Sequence, residues 1–222
     1  MIGLIFDVDG VVGDTESINA AVTVEVFRDL CGIEVKPGDF RPFVGTGAER
    51  YVQGVAERYG VAIDLPQATR LRERKILETL RREGLKPYPG VADLIDAAAE
   101  APDVRLGLAT SAHQDLAFAI LAAAGIDRSR FDALITGEAV TRKKPDPAIY
   151  LLAADRLRLA PSACVVIEDA PSGVAAADAA GMRCIAVTNT VEAERLKGAD
   201  RIVASLAEVS LGDIRQLARE SY

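Results

Sequence analysis

The chain has 222 residues, of which 50% are hydrophobic and 27% charged. These are the proportions of a globular protein somewhat longer than one ~150-residue domain, not of a disordered or fibrous chain. Its 33 acidic residues against 26 basic ones leave a formal charge of −7, and no basic stretch could neutralise a phosphate backbone, so no nucleic acid partner is expected. Residues 1–6 are too few for the apolar region of a signal, and no run approaches the ~20 apolar residues of a membrane span. A cytoplasmic protein with no membrane partner is the expectation. The three cysteines, Cys31, Cys164 and Cys184, lie in apolar segments without metal-ligand spacing and read as buried reduced thiols.

Residues 2–6 are the first of five short aliphatic runs; the others are 104–109, 133–136, 164–168 and 184–188. Each ends in polar residues, and helical stretches lie between them, which is the rhythm of βαβ units. Runs such as Cys164-Val165-Val166-Ile167 are apolar at every position, as in strands buried on both faces of a parallel sheet. A doubly wound α/β fold follows.

The long stretch between the first two runs breaks the rhythm and reads as an insertion of helices. The spacing predicts a helix over 17–31, with Ile18, Ala21, Val22 and Val26 on one stripe and Gly32 closing it. A second helix over 47–59 carries Tyr51, Val52, Val55 and Tyr59 and closes at Gly60. A third, more weakly patterned through Leu71, Leu77 and Leu80, ends near Gly84. Helices inserted just after strand one predict a small bundle capping the strand ends, a cap domain over 15–86 with a core of 1–14 and 87–222. Pro87-Tyr88-Pro89-Gly90 would be a stiff hinge where the chain rejoins the sheet. Beyond it, Leu116, Ile120 and Leu121 share a helix face ending at Gly125, Pro147 suits a first helical turn, and 172–181 is an alanine-rich helix.

The chemistry gathers at the ends of the apolar runs. Asp7-Val8-Asp9-Gly10 follows the first, Thr110-Ser111 the second and Glu168-Asp169 the fourth. A parallel sheet brings such C-terminal ends onto one rim, where ligands bind. Asp7, Asp9 and Asp169 could share one hard cation with oxygen ligands, the way Mg2+ is held. Thr110 adds a hydroxyl donor at the start of a helix, and Lys144 in Arg142-Lys143-Lys144-Pro145 adds a fixed cation. Acids, a metal, a hydroxyl and a lysine around one anion describe phosphoryl transfer, in which a carboxylate can be the nucleophile. His113 reads as a surface helix residue that could still brush the substrate, and Arg70, Arg72, Arg74 and Lys75 read as a solvated helix face of which one member could point into the cleft.

Asp7-Val8-Asp9-Gly10-Val11-Val12, Thr110-Ser111, Lys144-Pro145 and Glu168-Asp169, in that order, resemble the four motifs of the haloacid dehalogenase superfamily. Asp14-Thr15-Glu16, the helical insertion, Tyr88-Pro89-Gly90, Lys144-Pro145-Asp146-Pro147 and 167–173 resemble its β-phosphoglucomutase-like, helical-capped branch. The resemblance implies a Rossmann-like core and makes Asp7 the nucleophile that becomes an aspartyl-phosphate. Asp9 becomes the acid/base that protonates the leaving alcohol and then activates water. It implies Mg2+ on the Asp7 side chain, the Asp9 backbone carbonyl and Asp169, with Glu168 a direct or water-mediated ligand. Thr110 and Lys144 would bind the transferred phosphoryl group, helped by backbone N–H groups of Ser111 and of loop 8–10. Ser111 becomes the hydroxyl donor if the register slips by one.

Sugar phosphomutases of this branch share a cap histidine after the first motif and an arginine in the second cap loop. Here Asn19 and Gly45-Thr46-Gly47-Ala48 stand in those places. The expectation is therefore a phosphatase acting on a small phosphorylated metabolite such as a sugar phosphate, as a monomer or weak dimer, with Asn19, Gly45, Thr46 and Gly47 near the substrate. The alternatives are a phosphomutase and, outside enzymes, a regulatory domain that binds a phosphorylated ligand.

Overall fold

The computed structural model describes residues 1–44 and 47–220. After strand β1 (Ile2–Phe6) come helices α1 (Thr15–Cys31), α2 (Ala48–Tyr59) and α3 (Leu65–Glu83), with a 3-10 turn at Pro37–Phe43 between the first two. The chain continues through α4 (Val91–Glu100), β2 (Val104–Ala109), α5 (Gln114–Ala123), β3 (Ala133–Ile135) and α6 (Ala148–Leu157). It ends with β4 (Cys164–Glu168), α7 (Pro171–Ala179), β5 (Arg183–Val187), β6 (Arg201–Val203) and α8 (Leu211–Leu217). Two compact units result: Met1–Asp14 with the chain from Leu85 onward, and Thr15–Gly84. Leu85 and Lys86 go with the sheet because the Leu85 N–H donates to the Ala123 carbonyl at 2.9 Å.

In the first unit all strands are parallel, in the order β3-β2-β1-β4-β5-β6. Leu4, Ile5, Phe6, Val165, Val166 and Ile167 are wholly buried, as a sheet covered on both faces requires. Under one face α6 packs Ile149, Tyr150, Ala153 and Leu157 against Ile5, Val166 and Cys184. β6 and the short α4 and α8 had not declared themselves in the sequence: β6 is a three-residue edge strand that begins with Arg201. Phe6 pairs with Leu108 on one side and with Ile167 on the other. The residues that follow β1, β2 and β4 therefore leave the sheet at one level of one rim.

The helical unit has its own core, in which Phe40 stacks on Tyr51 (centroids 5.0 Å apart) and tilts against Phe27. The buried face of α1 is Ala20, Val22, Thr23, Val26 and Phe27. This corrects the expected stripe, since Ala21 is exposed and Ile18 only half-buried. Thr23 can be buried because its hydroxyl donates to the Asn19 carbonyl at 2.6 Å. Tyr59 likewise leaves the expected face for the surface, where its hydroxyl meets Asp39.

Arg70 and Arg74 are exposed and Lys75 pairs with Glu25 and Asp29, as a solvated face predicts. Arg72 is the member that leaves the solvated face. It is half-buried, donates to Asn19 Oδ1 (3.0 Å) and Thr23 Oγ1 (3.2 Å), and lies over the Tyr51 ring. Cys164 and Cys184 are buried free thiols and Cys31 is half-buried.

Candidate active site

Asp7 sits one residue past β1, yet its N–H still donates to the Ile167 carbonyl at 3.0 Å, so the sheet ladder fixes it. The chain then turns: the Val11 and Val12 N–H groups both donate to the Val8 carbonyl, and Asp9 bridges to Gly13. Gly10 occupies the left-handed region with φ +73°, and a Cβ there would overlap the Asp169 carboxylate and the Thr190 hydroxyl. Only glycine fits both the turn and the neighbour.

Lys144 binds these strand ends together. Its Nζ donates to Asp7 Oδ1 (2.5 Å), Glu168 Oε1 (2.7 Å) and the Ala109 carbonyl (3.3 Å), the group immediately before Thr110. These three acceptors match its three donors. Glu168 is just as fully engaged. Oε1 accepts from Lys144 and from the Tyr150 hydroxyl (2.6 Å), and Oε2 accepts from the N–H groups of Asp169 and Ala170 (2.9 and 3.0 Å). Gly173 on α7 leaves the room this carboxylate needs, because a Cβ would occupy its place. Asp169 accepts from the Thr190 hydroxyl, and Asn189 Nδ2 donates to the Gly10 carbonyl at 2.9 Å.

Among the described residues, Asp7, Glu168 and Asp169 form a buried group whose ligand oxygens all lie within 4.8 Å of one another. Three carboxylates here meet one ammonium. Burial pushes the Asp7 carboxyl up to about 7, Lys144 opposes the rise, and Glu168 and Asp9 add to it. Burial, with Glu168 and Asp7 beside it, holds Asp169 well above the usual carboxylate range. Burial would favour neutral Glu168 as well, but Lys144 outweighs it and holds Glu168 below its ordinary value. For Lys144 itself, burial disfavours the charge, and Asp7 and Glu168 more than restore it. An all-oxygen donor set with surplus negative charge in a buried pocket fits a hard divalent cation.

The expected residues thus fall into three groups. Asp7, Lys144, Glu168 and Asp169 are brought into direct contact or close proximity, and Thr110 is buried beside them, its Oγ1 accepting from the Ala112 N–H at 3.1 Å. Asp9 is half-buried in the adjoining turn, and Ser111 is exposed. Asn19 and Gly47 belong to the helical unit, Asn19 with its amide oxygen on Arg72 and Gly47 at the start of α2. Gly45 and Thr46 lie outside the described residues. His113 is exposed at the start of α5 beside Glu138.

Tyr150, Asn189 and Thr190 were missed. Asn189-Thr190 follows an apolar strand as the other site residues do, so the strand-end signal was present. Tyr150 carries no such signal, since an aromatic on the buried face of a helix reads as core.

Residues 4–187 match the family of haloacid dehalogenase-like hydrolases. The chain is 37% identical over 215 residues to Protein SUPPRESSOR OF QUENCHING 1, chloroplastic, of Arabidopsis thaliana, covering 95% of this chain but only 20% of that much longer relative. It is 33% identical over 193 residues to the Phosphorylated carbohydrates phosphatase of Thermotoga maritima, covering 83% and 84% of the two chains. Its fold superposes on a mutant of CbbY from Rhodobacter sphaeroides in complex with xylulose 1,5-bisphosphate. The TM-score is 0.84 at 29% identity, over 96% of this chain and 99% of that one. With the sheet order, the acid-rich rim and a match over most of its length, this chain belongs to the haloacid dehalogenase-like hydrolases.

Proposed function

We propose that this phosphoric monoester hydrolase is magnesium-dependent, acts on small phosphorylated carbohydrates and works through an aspartyl-phosphate on Asp7. The observation that carries the reading is the buried contact of Asp7 with Lys144, flanked by Glu168 and Asp169. The Thermotoga relative and the ligand of the CbbY structure support the substrate class.

In this reading Asp7 attacks the phosphorus in line and Asp9 gives a proton to the leaving alcohol. Asp9 then takes a proton from the water that hydrolyses the acyl phosphate, so that a single acid/base serves both half-reactions. Lys144 holds a phosphoryl oxygen, and the Thr110 hydroxyl, whose oxygen already accepts from Ala112, donates its proton to another. The N–H groups of Ser111 and loop 8–10 complete the cradle. Mg2+ on Asp7, Asp169 and the Asp9 carbonyl supplies neutralisation of the charge on the transferred group. Glu168, its four acceptor positions filled, holds Lys144 in place and adds charge to the cluster. The helical unit, with Asn19 and 45–47, selects the substrate, and the working location is the cytoplasm.

The test is phosphate release from a panel of sugar phosphates, nucleotides and other phosphomonoesters, with Mg2+ and with EDTA. Preference for sugar phosphates and loss of release in EDTA are expected. Conversion of β-glucose 1-phosphate to glucose 6-phosphate would replace the phosphatase by a phosphomutase, and silence on every ester would leave a ligand-binding domain.

A further inference from the structure

We propose that Thr190 is a positioning residue that makes this site favour magnesium over calcium, by holding Asp169 as a ligand through one oxygen only. The inference rests on the reading of Asp169 as a Mg2+ ligand and deepens it. Asp169 is buried, and Thr190 Oγ1 donates to its Oδ2. The same oxygen is packed against Gly10, where a Cβ would overlap both it and the Thr190 hydroxyl. The segment that carries Thr190 is itself tied down, because Asn189 Nδ2 donates to the Gly10 carbonyl at 2.9 Å. The segment after β5 thus grips the turn after β1 and the carboxylate after β4 at once. Oδ1 is left as the oxygen through which Asp169 serves a cation.

This matters for ion choice. Magnesium takes single oxygens at short, near-octahedral positions, whereas calcium accepts more ligands at longer distances and readily takes a carboxylate through both oxygens. A carboxylate with one oxygen committed to a hydroxyl and pressed against a glycine matches the first ion. Released from Thr190, it can turn to present both oxygens and match the second. Hydrogen bonds that orient metal ligands typically govern about tenfold to a hundredfold in metal affinity.

The experiment is a thermal-shift titration of the EDTA-stripped full chain with MgCl2 or CaCl2, comparing wild type, Thr190→Val, Thr190→Ser and Asp169→Ala. The valine variant keeps the shape and loses the hydroxyl. Its Mg2+ midpoint should rise by about tenfold or more, its Ca2+ midpoint should rise less or fall, and serine should restore the wild-type ratio. Equal shifts for both ions, or no shift, would overturn the inference while leaving the metal reading intact. An unchanged Mg2+ midpoint in Asp169→Ala would overturn both. Should the valine chain not fold, Thr190→Ala is read by the same ratio.

Discussion

Replacing Lys144 by methionine keeps most of the aliphatic stem and removes the ammonium that pairs with Asp7 and Glu168 in the acidic cluster. Lys144, Asp7 and Glu168 have side chains only 7%, 8% and 1% exposed, and the two ion pairs are 2.5 and 2.7 Å long. Breaking a buried pair by deleting one partner costs about 3–5 kcal/mol, because the other charge is left unpaired. Part of that cost can be escaped. Lys144 is what opposes burial at Asp7, so once the ammonium is gone Asp7 can take up a proton and neutralise itself. Glu168 has the same escape, since Lys144 is what outweighs the burial that favours its neutral form. The lower bound, about 3 kcal/mol, is therefore the expected loss, or about 6–12 °C in Tm for a chain of this size. The assay is thermal unfolding followed by circular dichroism in EDTA at pH 8 and pH 6. The deficit should shrink at pH 6, where Asp7 carries a proton and needs the ammonium less. Magnesium should raise Tm more in the variant than in wild type, the ammonium's repulsion being gone. A deficit under about 1 kcal/mol at pH 8, or one that grows at pH 6, would refute the view that Lys144 neutralises the cluster.

Exposed helical glycines usually gain stability on change to alanine, but Gly173→Ala should lose about 1–3 kcal/mol by urea unfolding because its methyl would displace the Glu168 carboxylate; a stabilised variant contradicts this. Protons and metal compete for the raised carboxyls of Asp7 and Asp169. Below about 7 the metal-free fold keeps a proton that the unfolded chain releases, so the rise in Tm on adding Mg2+ should be larger at pH 8 than at pH 6, and the reverse order would place the metal elsewhere. Thr110→Val should lower kcat/KM for p-nitrophenyl phosphate by about a hundredfold while Ser111→Ala leaves it unchanged; the opposite pattern would make Ser111 the hydroxyl donor.

The parts of the fold that the sequence made legible are those whose burial shows in hydropathy alone. β1 and β4 carry apolar residues at successive positions, as a doubly covered sheet requires, and their polar successors carry the site. Less legible were elements whose burial depends on pairing. The face of α1 turns on Thr23, whose hydroxyl is satisfied within the helix, and no hydropathy pattern reveals that. Arg72 looks like surface charge until Tyr51, Asn19 and Thr23 are seen around it. Within the site, Asp7, Glu168 and Asp169 could be read one strand at a time. Tyr150 and Thr190 act on carboxylates far away in the chain, and only the folded register shows whom they serve.

In the proposed reaction Asp7 carries the phosphoryl group between the two halves. Acid-quenching the enzyme during turnover of p-nitrophenyl phosphate with Mg2+, followed by peptide mass mapping, tests it directly. One added phosphoryl group is expected on the peptide containing Asp7, absent in EDTA and absent from an Asp7→Asn chain that is folded but inactive. Phosphate on any other residue, or an Asp7→Asn chain that keeps more than about a hundredth of wild-type turnover, would contradict it.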